Sequence, residues 1–463
     1  MKRNTILLII SSLYITTFAQ LDELQQVDRL FMEWDNTHSP GAAIGIIKEG
    51  KLIYTKGYGI ANLDYGIPIS ADSKFYIPST TKQFTAACIA LLSMEGKIGL
   101  DDDIRNYLPE IPDYGEKITI RHLVHHTSGL RDYLVLMYFS GESFEDYFSI
   151  DDGIKKLKKQ KALNFSPGEK YQYSNSGYIL MAEIVNRTSG MTIRQYADKH
   201  IFQPLGMKHT FFNDDHKQIT KNRVISYLVQ EDGSYKRFLQ HFDALGDGNL
   251  TTTVNDLYLW DQNFYTQMVG GKELQKIMLS RGILNNGDTL SYAFGQVREA
   301  YKGLESISHS GSMLGYRTEY VRFPKQQFSV VILANRSDAN ASQKAFQVSD
   351  IFLKNELIEQ EEINTNKPDS TKSKKEMDVS SFQLEDYTGK FYCEELGLSY
   401  TLNLEEEKLM IQIAHYDPLE LRSSDVDSFS FDLGSIRFNR SKGEITGFEL
   451  DAIRETNLKF EKK

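Results

Sequence analysis

The chain has 463 residues, a formal net charge of −10 and 12% aromatic residues. That length allows two or three domains with a large buried core, and an acidic balance without a basic stripe disfavours nucleic acid as a partner. Two cysteines are too few for a disulfide framework, and we expect Cys88 to be a buried thiol.

The first residues have the pattern of a secretion signal. Lys2 and Arg3 precede an apolar run that includes residues 6–10, and Thr17 and Ala19 supply small residues before a cleavage position. The apolar run is short for a membrane span. We therefore expect residues 1–19 to be a cleavable signal peptide rather than an uncleaved anchor, which predicts an exported protein, periplasmic or extracellular.

Two predicted elements lead to the first candidate catalytic motif. Residues 43–47 and 52–58 form a hairpin around Glu49 and Gly50. Residues 75–77 are extended, and Pro78 favours a break after them. Apolar residues then recur at helical spacing until Gly96, so Ser79 is expected at the start of a helix.

Ser79 and Lys82 form a Ser-x-x-Lys motif that occurs once in the chain. Residues three apart share one face of a helix, so Lys82 can reach the Ser79 oxygen and supply the base that a serine nucleophile needs. The helix dipole favours negative charge on that oxygen, and burial would lower the pKa of Lys82. The alternative is an N-cap serine with a solvated lysine.

Histidines cluster at positions 122, 125 and 126, a pattern that can indicate a metal site. Because no Asp, Glu or Cys completes a ligand set at metal spacing, we predict no metal and no cofactor. Residues 101–103, three aspartates, are interpreted as a helix-capping or loop cluster rather than as paired catalytic carboxylates.

The second motif, Tyr173-Ser174-Asn175, precedes a helix predicted to open at Gly177. Such a loop–helix junction commonly presents catalytic groups. A phenol near Lys82 can relay a proton between the serine and a leaving group, and the Asn175 amide can orient the lysine or a substrate carbonyl. Tyr171, a competing tyrosine, is interpreted as a packing residue.

The third motif, His309-Ser310-Gly311, ends a strand predicted over residues 306–310. Gly311 lets a substrate approach the backbone closely, and the N–H of Ser312 can pair with that of Ser79 as an oxyanion hole. His309 either hydrogen-bonds a substrate carboxylate or is a strand residue facing the tyrosine loop. In the first case, activity on acidic peptides falls as the pH rises through the pKa of the histidine.

A strand over residues 328–335 and a helix from about 341 to 353 precede a change of composition. Residues 359–380 have one proline and no aromatic residue, as in a solvated linker. Residues 381–463 alternate polar and apolar positions in short stretches, with a turn at Gly443, which predicts a small antiparallel barrel or sandwich. Because the three motifs precede the linker, we expect the C-terminal domain to influence stability, larger substrates or partners rather than acylation.

The three motifs and their surroundings resemble the penicillin-recognising serine hydrolases related to class C β-lactamases, D-Ala-D-Ala carboxypeptidases and D-aminopeptidases. The resemblance covers about residues 25–355 and includes three further segments, 121–130, 203–207 and 246–257. It implies Ser79 as nucleophile and Lys82 and Tyr173 as the proton-transfer pair. It also implies Asn175 as a positioning amide and places His309-Ser310-Gly311 where lactamases usually carry Lys-Thr-Gly.

The resemblance also implies the fold. This is an α/β (α+β) arrangement of the β-lactamase type, an antiparallel sheet flanked by helices plus a helical subdomain, with the active site between the sheet edge and that subdomain. Residues 381–463 resemble the lipocalin-like β-barrel domain often appended to these hydrolases, with residues 384–392 as its opening strand. We predict four segments: signal peptide 1–19, hydrolase domain 20–358, linker 359–380 and β domain 381–463.

The predicted function is an exported serine hydrolase that acts through an acyl-enzyme on small peptides with D-residues, including cell-wall stem peptides, or on short-chain esters. Histidine is mostly neutral at pH 7, so the third motif favours carboxypeptidase, aminopeptidase or esterase members over strong lactamases. The alternatives are a β-lactamase proper and a non-catalytic penicillin-binding or sensor protein. We expect no transmembrane segment after signal cleavage, and the sequence leaves the oligomeric state open.

Overall fold

The computed structural model describes residues 21–239, 241–358 and 383–463. The predicted signal peptide, residues 1–19, and the predicted linker, residues 359–380, lie outside the described residues. Within the described ranges, no helix combines the length and the apolar character that a membrane span requires.

The secondary structure up to residue 358 alternates helices and strands. The helices are α1 (21–31), α2 (Lys82–Met94), α3 (Ile120–Val124), α4 (Tyr133–Phe139), α5 (Ile150–Lys158), α6 (Asn175–Ser189), α7 (Ile193–Ala197), α8 (Gln203–Leu205), α9 (Val254–Thr266), α10 (Gly271–Met278) and α11 (Ala341–Leu353). The strands are β1 (Ala42–Lys48), β2 (Lys51–Tyr58), β3 (Ile60–Asn62), β4 (Ile67–Pro68), β5 (Phe75–Ile77), β6 (Phe211–Phe212), β7 (Ser226–Val229), β8 (Tyr235–Phe238), β9 (Leu250–Thr252), β10 (Val297–Tyr301), β11 (Leu304–Met313), β12 (Tyr316–Phe323) and β13 (Phe328–Ala334).

Six of these strands form one antiparallel sheet in the order β10-β11-β12-β13-β1-β2. The predicted hairpin, the strand over residues 328–335 and the helix over 341–353 are confirmed. Successive side chains of β13 alternate between the two faces: Val330 and Ile332 pack with α1 and α11, whereas Val331 and Leu333 face the core that contains α2 and α9. The sheet is therefore covered on both faces.

Helix α2 lies at the centre of the helical subdomain. It packs against α6, α7 and α10, and ten of its thirteen residues are buried. A short 3-10 helix, Ser79–Thr81, joins β5 to α2, so Ser79 lies at the expected helix start but one turn before the regular α-helix. The small sheet β5-β9-β6 fixes the segment that leads into this turn.

The C-terminal region is a closed antiparallel barrel. Its strands are β14 (Gly389–Cys393), β15 (Leu398–Glu405), β16 (Lys408–Gln412), β17 (Leu419–Asp425), β18 (Ser428–Phe431), β19 (Gly434–Ser441), β20 (Glu444–Ala452) and β21 (Glu455–Lys462). The strand predicted over residues 384–392 is wrong at its start. Residues Leu384–Tyr387 form a 3-10 helix because the Tyr387 ring packs inside the barrel, 4.9 Å from the ring of Phe429.

The barrel docks on the helical subdomain through aromatic and charged contacts. Tyr416 stacks on Tyr138 of α4 with ring centroids 4.7 Å apart, and the Tyr400 hydroxyl donates to the Phe139 carbonyl at 2.8 Å. The buried Arg131 forms an ion pair with Glu395. This docking places the turn between β20 and β21 against the first residues of α4 and α6.

Candidate active site

A cavity of about 210 Å³ lies between the end of β11, the start of α2 and the helical subdomain. The sequence predicts an active site at this boundary. Ser79 of the first motif, Tyr173 and Asn175 of the second, and Ser312, the residue after the third, line the cavity. Its wall also contains Tyr76, Pro78, Tyr133, Leu134, Phe242, Ala244, Asp247, Gly248, Met313 and Arg454.

The turn that carries Ser79 is tied to the sheet. The hydroxyl of Thr80 lies 2.8 Å from that of Thr318 on β12 and donates to the His309 carbonyl at 3.3 Å. An added Cβ at Gly311 would clash with the Thr318 hydroxyl and lie 3.1 Å from the Ser79 nitrogen. The backbone of β11 thus runs directly beside the backbone N–H of Ser79, and only a residue without a side chain permits this approach.

Lys82 is fully buried, and its ammonium group has three acceptors. Its Nζ lies 2.7 Å from the backbone carbonyl of Asp247, 2.9 Å from Asn175 Oδ1 and 3.2 Å from Ser79 Oγ. A lysine nitrogen has three donor positions, and the first two acceptors fix two of them. In the neutral amine the remaining position is a lone pair, which then points at the serine hydroxyl.

Burial lowers the pKa of Lys82 from its ordinary value of 10.5, and Arg454 lowers it further. The carboxylates of Asp247 and Asp132 oppose this effect. Burial also raises the pKa of Asp247, whose Oδ2 accepts a hydrogen bond from the Tyr133 hydroxyl at 3.0 Å. A lowered lysine pKa increases the fraction of the neutral amine that can accept a proton at pH 7.

Tyr173 lies between the lysine and the histidines. The Lys82 Nζ is 4.9 Å from the centre of its ring, and the His126 ring is 4.3 Å away. Burial raises the pKa of the Tyr173 phenol well above 10, and the nearby Ser79 hydroxyl opposes this rise. The phenol is protonated at neutral pH, so its chemistry here is proton donation, and Lys82 is the group suited to act as base.

Asn175 occupies the first turn of α6, two residues before the predicted helix start at Gly177. Asp132 fixes it there, because its Oδ2 accepts from the Asn175 backbone N–H at 2.9 Å and from Nδ2 at 3.0 Å. The amide is therefore oriented with Oδ1 toward Lys82. The Asp132 contacts explain why the helix begins earlier than the apolar pattern suggests.

The structure surrounds His309 with protein partners. Its Nδ1 lies 2.6 Å from the Ser310 carbonyl, and its Nε2 lies 2.9 Å from the Tyr292 hydroxyl. A carbonyl only accepts, so Nδ1 carries the proton and Nε2 accepts from Tyr292. Burial lowers the pKa of His309 to about 4, so the ring is neutral at pH 7 and supplies no positive charge to a substrate carboxylate.

The strand that carries this motif is longer than expected. It extends through Gly311 and Ser312 to Met313, with Ser312 paired to Arg317. The turn to the next strand is therefore confined to residues 314 and 315. Because the strand continues, Ser312 lies at the cavity wall beside Ser79.

The histidine and aspartate clusters have local structural partners. His122 accepts the Thr119 N–H and completes the capping of α3, and His126 Nδ1 accepts the Ser174 N–H at 3.1 Å. Asp103 caps the turn at residues 104–106, as the sequence predicts for this cluster. In the part of the chain that the structure describes, no three His, Cys, Asp or Glu side chains are grouped as metal ligands would be.

Sequence reasoning did not identify three charged residues at the site: Asp132, Asp247 and Arg454. Asp132 lies two residues after the matched segment 121–130 and Asp247 lies within the matched segment 246–257, but no motif marks either residue. Arg454 belongs to the barrel, which we expected to influence stability, larger substrates or partners rather than acylation, and the structure places this residue in the cavity wall. No local pattern indicates an approach between residues 322 positions apart.

Comparison with known proteins places this site in context. The family described as Beta-lactamase matches residues 19–349. Penicillin-binding protein 4* of Bacillus subtilis (strain 168) is 27% identical over 439 residues, which cover 91% of this chain and 94% of that protein. A D-aminopeptidase of Gluconobacter oxydans (strain 621H) is 26% identical over 301 residues, 65% of this chain but only 56% of that enzyme.

Among solved structures, one is similar over most of this chain. The octameric penicillin-binding protein homologue from Pyrococcus abyssi has a TM-score of 0.61 and 22% identity, with 91% of this chain and 95% of that chain covered. At this identity the similarity concerns the fold.

Proposed function

This chain belongs to the beta-lactamase family and is a serine hydrolase, and we propose that it is an exported enzyme that forms an acyl-enzyme on Ser79. One observation carries the proposal. A fully buried lysine, Lys82, lies 3.2 Å from Ser79 Oγ, with its other two donor positions fixed by protein carbonyl oxygens. A lysine held this way is a base for the serine rather than a solvated surface charge.

Acylation follows from this geometry. Neutral Lys82 takes the Ser79 proton while Oγ attacks the substrate carbonyl carbon. The backbone N–H groups of Ser79 and Ser312 stabilise the resulting oxyanion. The Tyr173 phenol gives its proton to the leaving group as the bond to it breaks, and the Lys82 ammonium returns a proton to the tyrosine.

Deacylation reverses the roles with water. Lys82, neutral again, takes a proton from a water molecule that attacks the ester carbonyl, and Ser79 leaves with the proton that the lysine carries. The tight hydrogen bonding of the Lys82 amine keeps its lone pair at the same position in both half-reactions.

We propose small substrates with D-amino acids, such as cell-wall stem peptides, or short-chain esters. Two relatives support this class by name, a penicillin-binding protein and a D-aminopeptidase. A cavity of about 210 Å³ suits a small acyl group. The neutral His309 removes the strand-borne cation expected of a strong β-lactamase.

The test is intact-protein mass spectrometry after exposure to a fluorophosphonate and, separately, to a penicillin, with Ser79→Ala as control. We expect a stoichiometric fluorophosphonate adduct on Ser79 that is absent from the control. A stable penicillin adduct would indicate a penicillin-binding or carboxypeptidase-like enzyme, and rapid penicillin turnover would indicate a lactamase. An adduct on another serine would refute the mechanism.

Substrate class is tested by hydrolysis of matched dipeptides. D-Ala-D-Ala, L-Ala-L-Ala and a short p-nitrophenyl ester are compared by kcat/KM in the wild type and in Ser79→Ala. Faster cleavage of the D-peptide than of the L-peptide supports the peptide proposal. Cleavage of the ester but of neither dipeptide would indicate that the protein is an esterase.

A further inference from the structure

The turn between β20 and β21 enters the active site from the barrel. Arg454 lines the cavity that contains Ser79, although it lies beyond every sequence motif of the hydrolase. The preceding residue, Ile453, is exposed and has a φ of 57°. A β-branched residue is disfavoured in this conformation, and such strain is concentrated at functional sites.

The helical subdomain holds this turn in place. Asn164 Nδ2 donates to the Arg454 carbonyl at 3.0 Å, and the side-chain amide of Gln172 donates to the same oxygen. The next residue, Glu455, accepts the backbone N–H of Asp132 at 2.7 Å. Arg454 is therefore fixed from both sides and does not lie on a free loop.

A continuous set of contacts connects Arg454 to the nucleophile. Its guanidinium lies 2.9 Å from Asp132 Oδ2, the same oxygen that accepts both N–H donors of Asn175. Asn175 Oδ1 in turn accepts from Lys82. Asp132 is 1% exposed, so without the arginine its carboxylate would be buried beside Asn175 without an ionic partner, which is costly.

We propose that Arg454, supplied by the C-terminal barrel, is a positioning residue for acyl transfer: it holds Asp132, which orients Asn175 and thereby the amine of Lys82. The inference rests on the proposed function of Ser79 and Lys82. The barrel then acts on the reacting groups indirectly, through Asp132 and Asn175.

Arg454 also acts on the charge of the lysine. Its guanidinium carbon lies 5.7 Å from the centre of the Tyr173 ring, on which Lys82 also rests. The positive charge lowers the pKa of Lys82. The other titratable or charged groups that face Lys82 are Asp247, Asp132, His126, His309, Tyr173 and Tyr178.

The experiment compares Arg454→Gln and Arg454→Lys in the full-length protein. Arg437→Gln is the matched control, because Arg437 is an exposed barrel arginine with its own carboxylate partner, Glu449. The readouts are the melting temperature and kcat/KM for a short ester between pH 5 and 9. We expect Arg454→Gln to lower kcat/KM by about 10- to 100-fold, the effect of a small misplacement of a catalytic group.

The pH profile separates positioning from a structural effect. Loss of the cation raises the pKa of Lys82, so the acid limb of the Arg454→Gln profile moves to higher pH. Arg454→Lys keeps the positive charge, so the acid limb of its pH profile should stay near the wild-type position and its kcat/KM should fall less than that of Arg454→Gln. A folded Arg454→Gln protein with the wild-type rate and limb would overturn the proposal.

Asp132→Asn removes the same ion pair from the other side, so its own kcat/KM tests the proposal if Arg454→Gln is unstable. We expect it to lower the rate, and we expect its loss and that of Arg454→Gln to be non-additive in the double variant. Independent losses that sum would overturn the proposal. Failure of fluorophosphonate to label wild-type Ser79 would instead refute the proposed function itself.

Discussion

Replacing Glu455 by Gln is expected to stabilise the protein at alkaline pH and to have little effect at pH 5. Glu455 is 1% exposed and lies at the interface between the barrel and the helical subdomain. Burial, and then the negative charge of Asp132, raise the pKa of its carboxyl from 4.5 to about 8. The folded protein therefore carries this side chain as a neutral acid at pH 7.

The sign of the effect follows from proton linkage. In the unfolded chain the carboxyl ionises near 4.5, whereas in the folded protein it ionises near 8. Between these values the folded state binds the additional proton, so stability falls as the pH rises above 4.5, and the loss is complete above about 8. A shift of this size corresponds to roughly 5 kcal/mol. A glutamine is neutral at every pH, so the Glu455→Gln variant does not undergo this pH-dependent loss of stability.

The assay is the melting temperature of the wild type and of Glu455→Gln from pH 5 to 9 at constant ionic strength. The variant's advantage should be smallest at pH 5 and increase with pH. The glutamine also alters the hydrogen bond that Asn164 donates to residue 455. That effect is the same at every pH, so it shifts the melting-temperature difference without changing its dependence on pH. Glu444→Gln, an exposed position on β20, is the matched control and should show no such trend. A Glu455→Gln difference that does not change with pH would refute the reasoning.

Three further predictions concern the site. If Lys82 and Tyr173 act as one proton-transfer unit, the losses in Lys82→Ala and Tyr173→Phe are strongly non-additive in kcat/KM, and losses that simply sum would indicate separate roles. Burial lowers the pKa of His309 to about 4, so the pH profiles of kcat/KM for an acidic peptide and a neutral ester should run parallel between pH 5.5 and 8. A fall in kcat/KM for the peptide alone near pH 6.5 would show that a protonated His309 binds the substrate carboxylate. Gly311→Ala places a methyl group against the Thr318 hydroxyl and 3.1 Å from the Ser79 nitrogen, so ester kcat/KM should fall by at least about tenfold. The fold should be retained by circular dichroism, and a wild-type kcat/KM would show that the β11 backbone does not approach Ser79 this closely.

Local sequence patterns identified most elements of the sheet and the position of the nucleophile. The turn at Glu49 and Gly50 specified the hairpin of β1 and β2, a continuous apolar run specified β13, and helical spacing specified α2 and α11. Ser79 and Lys82 are three residues apart, so their contact follows from helix geometry alone. Short-range periodicity is sufficient for these features because both partners lie within one element.

The alternating pattern alone predicted a barrel or a sandwich, and only the resemblance to a lipocalin-like domain indicated the closed barrel that the structure shows. Pairing of β14 with β21 joins Phe391 to Lys462, and the sequence pattern of a barrel strand is the same as that of a sandwich strand. Aromatic rings such as Phe448 and Phe460, stacked 4.5 Å apart, fill the interior. The choice between the two architectures depends on register and twist, which are properties of the assembled sheet.

The sequence by itself determined the nucleophile, its base, the tyrosine and the asparagine as candidates, because each lies in a short motif of fixed chemistry. Only the tertiary structure determined the protonation states of these groups and the ion pairs beside them. It buries Lys82 and His309, which lowers the pKa of both, and it brings Arg454 from the barrel to Asp132. Burial and ion pairing between distant segments depend on how complete domains pack together, and no local spacing encodes the electrostatic environment that this packing creates.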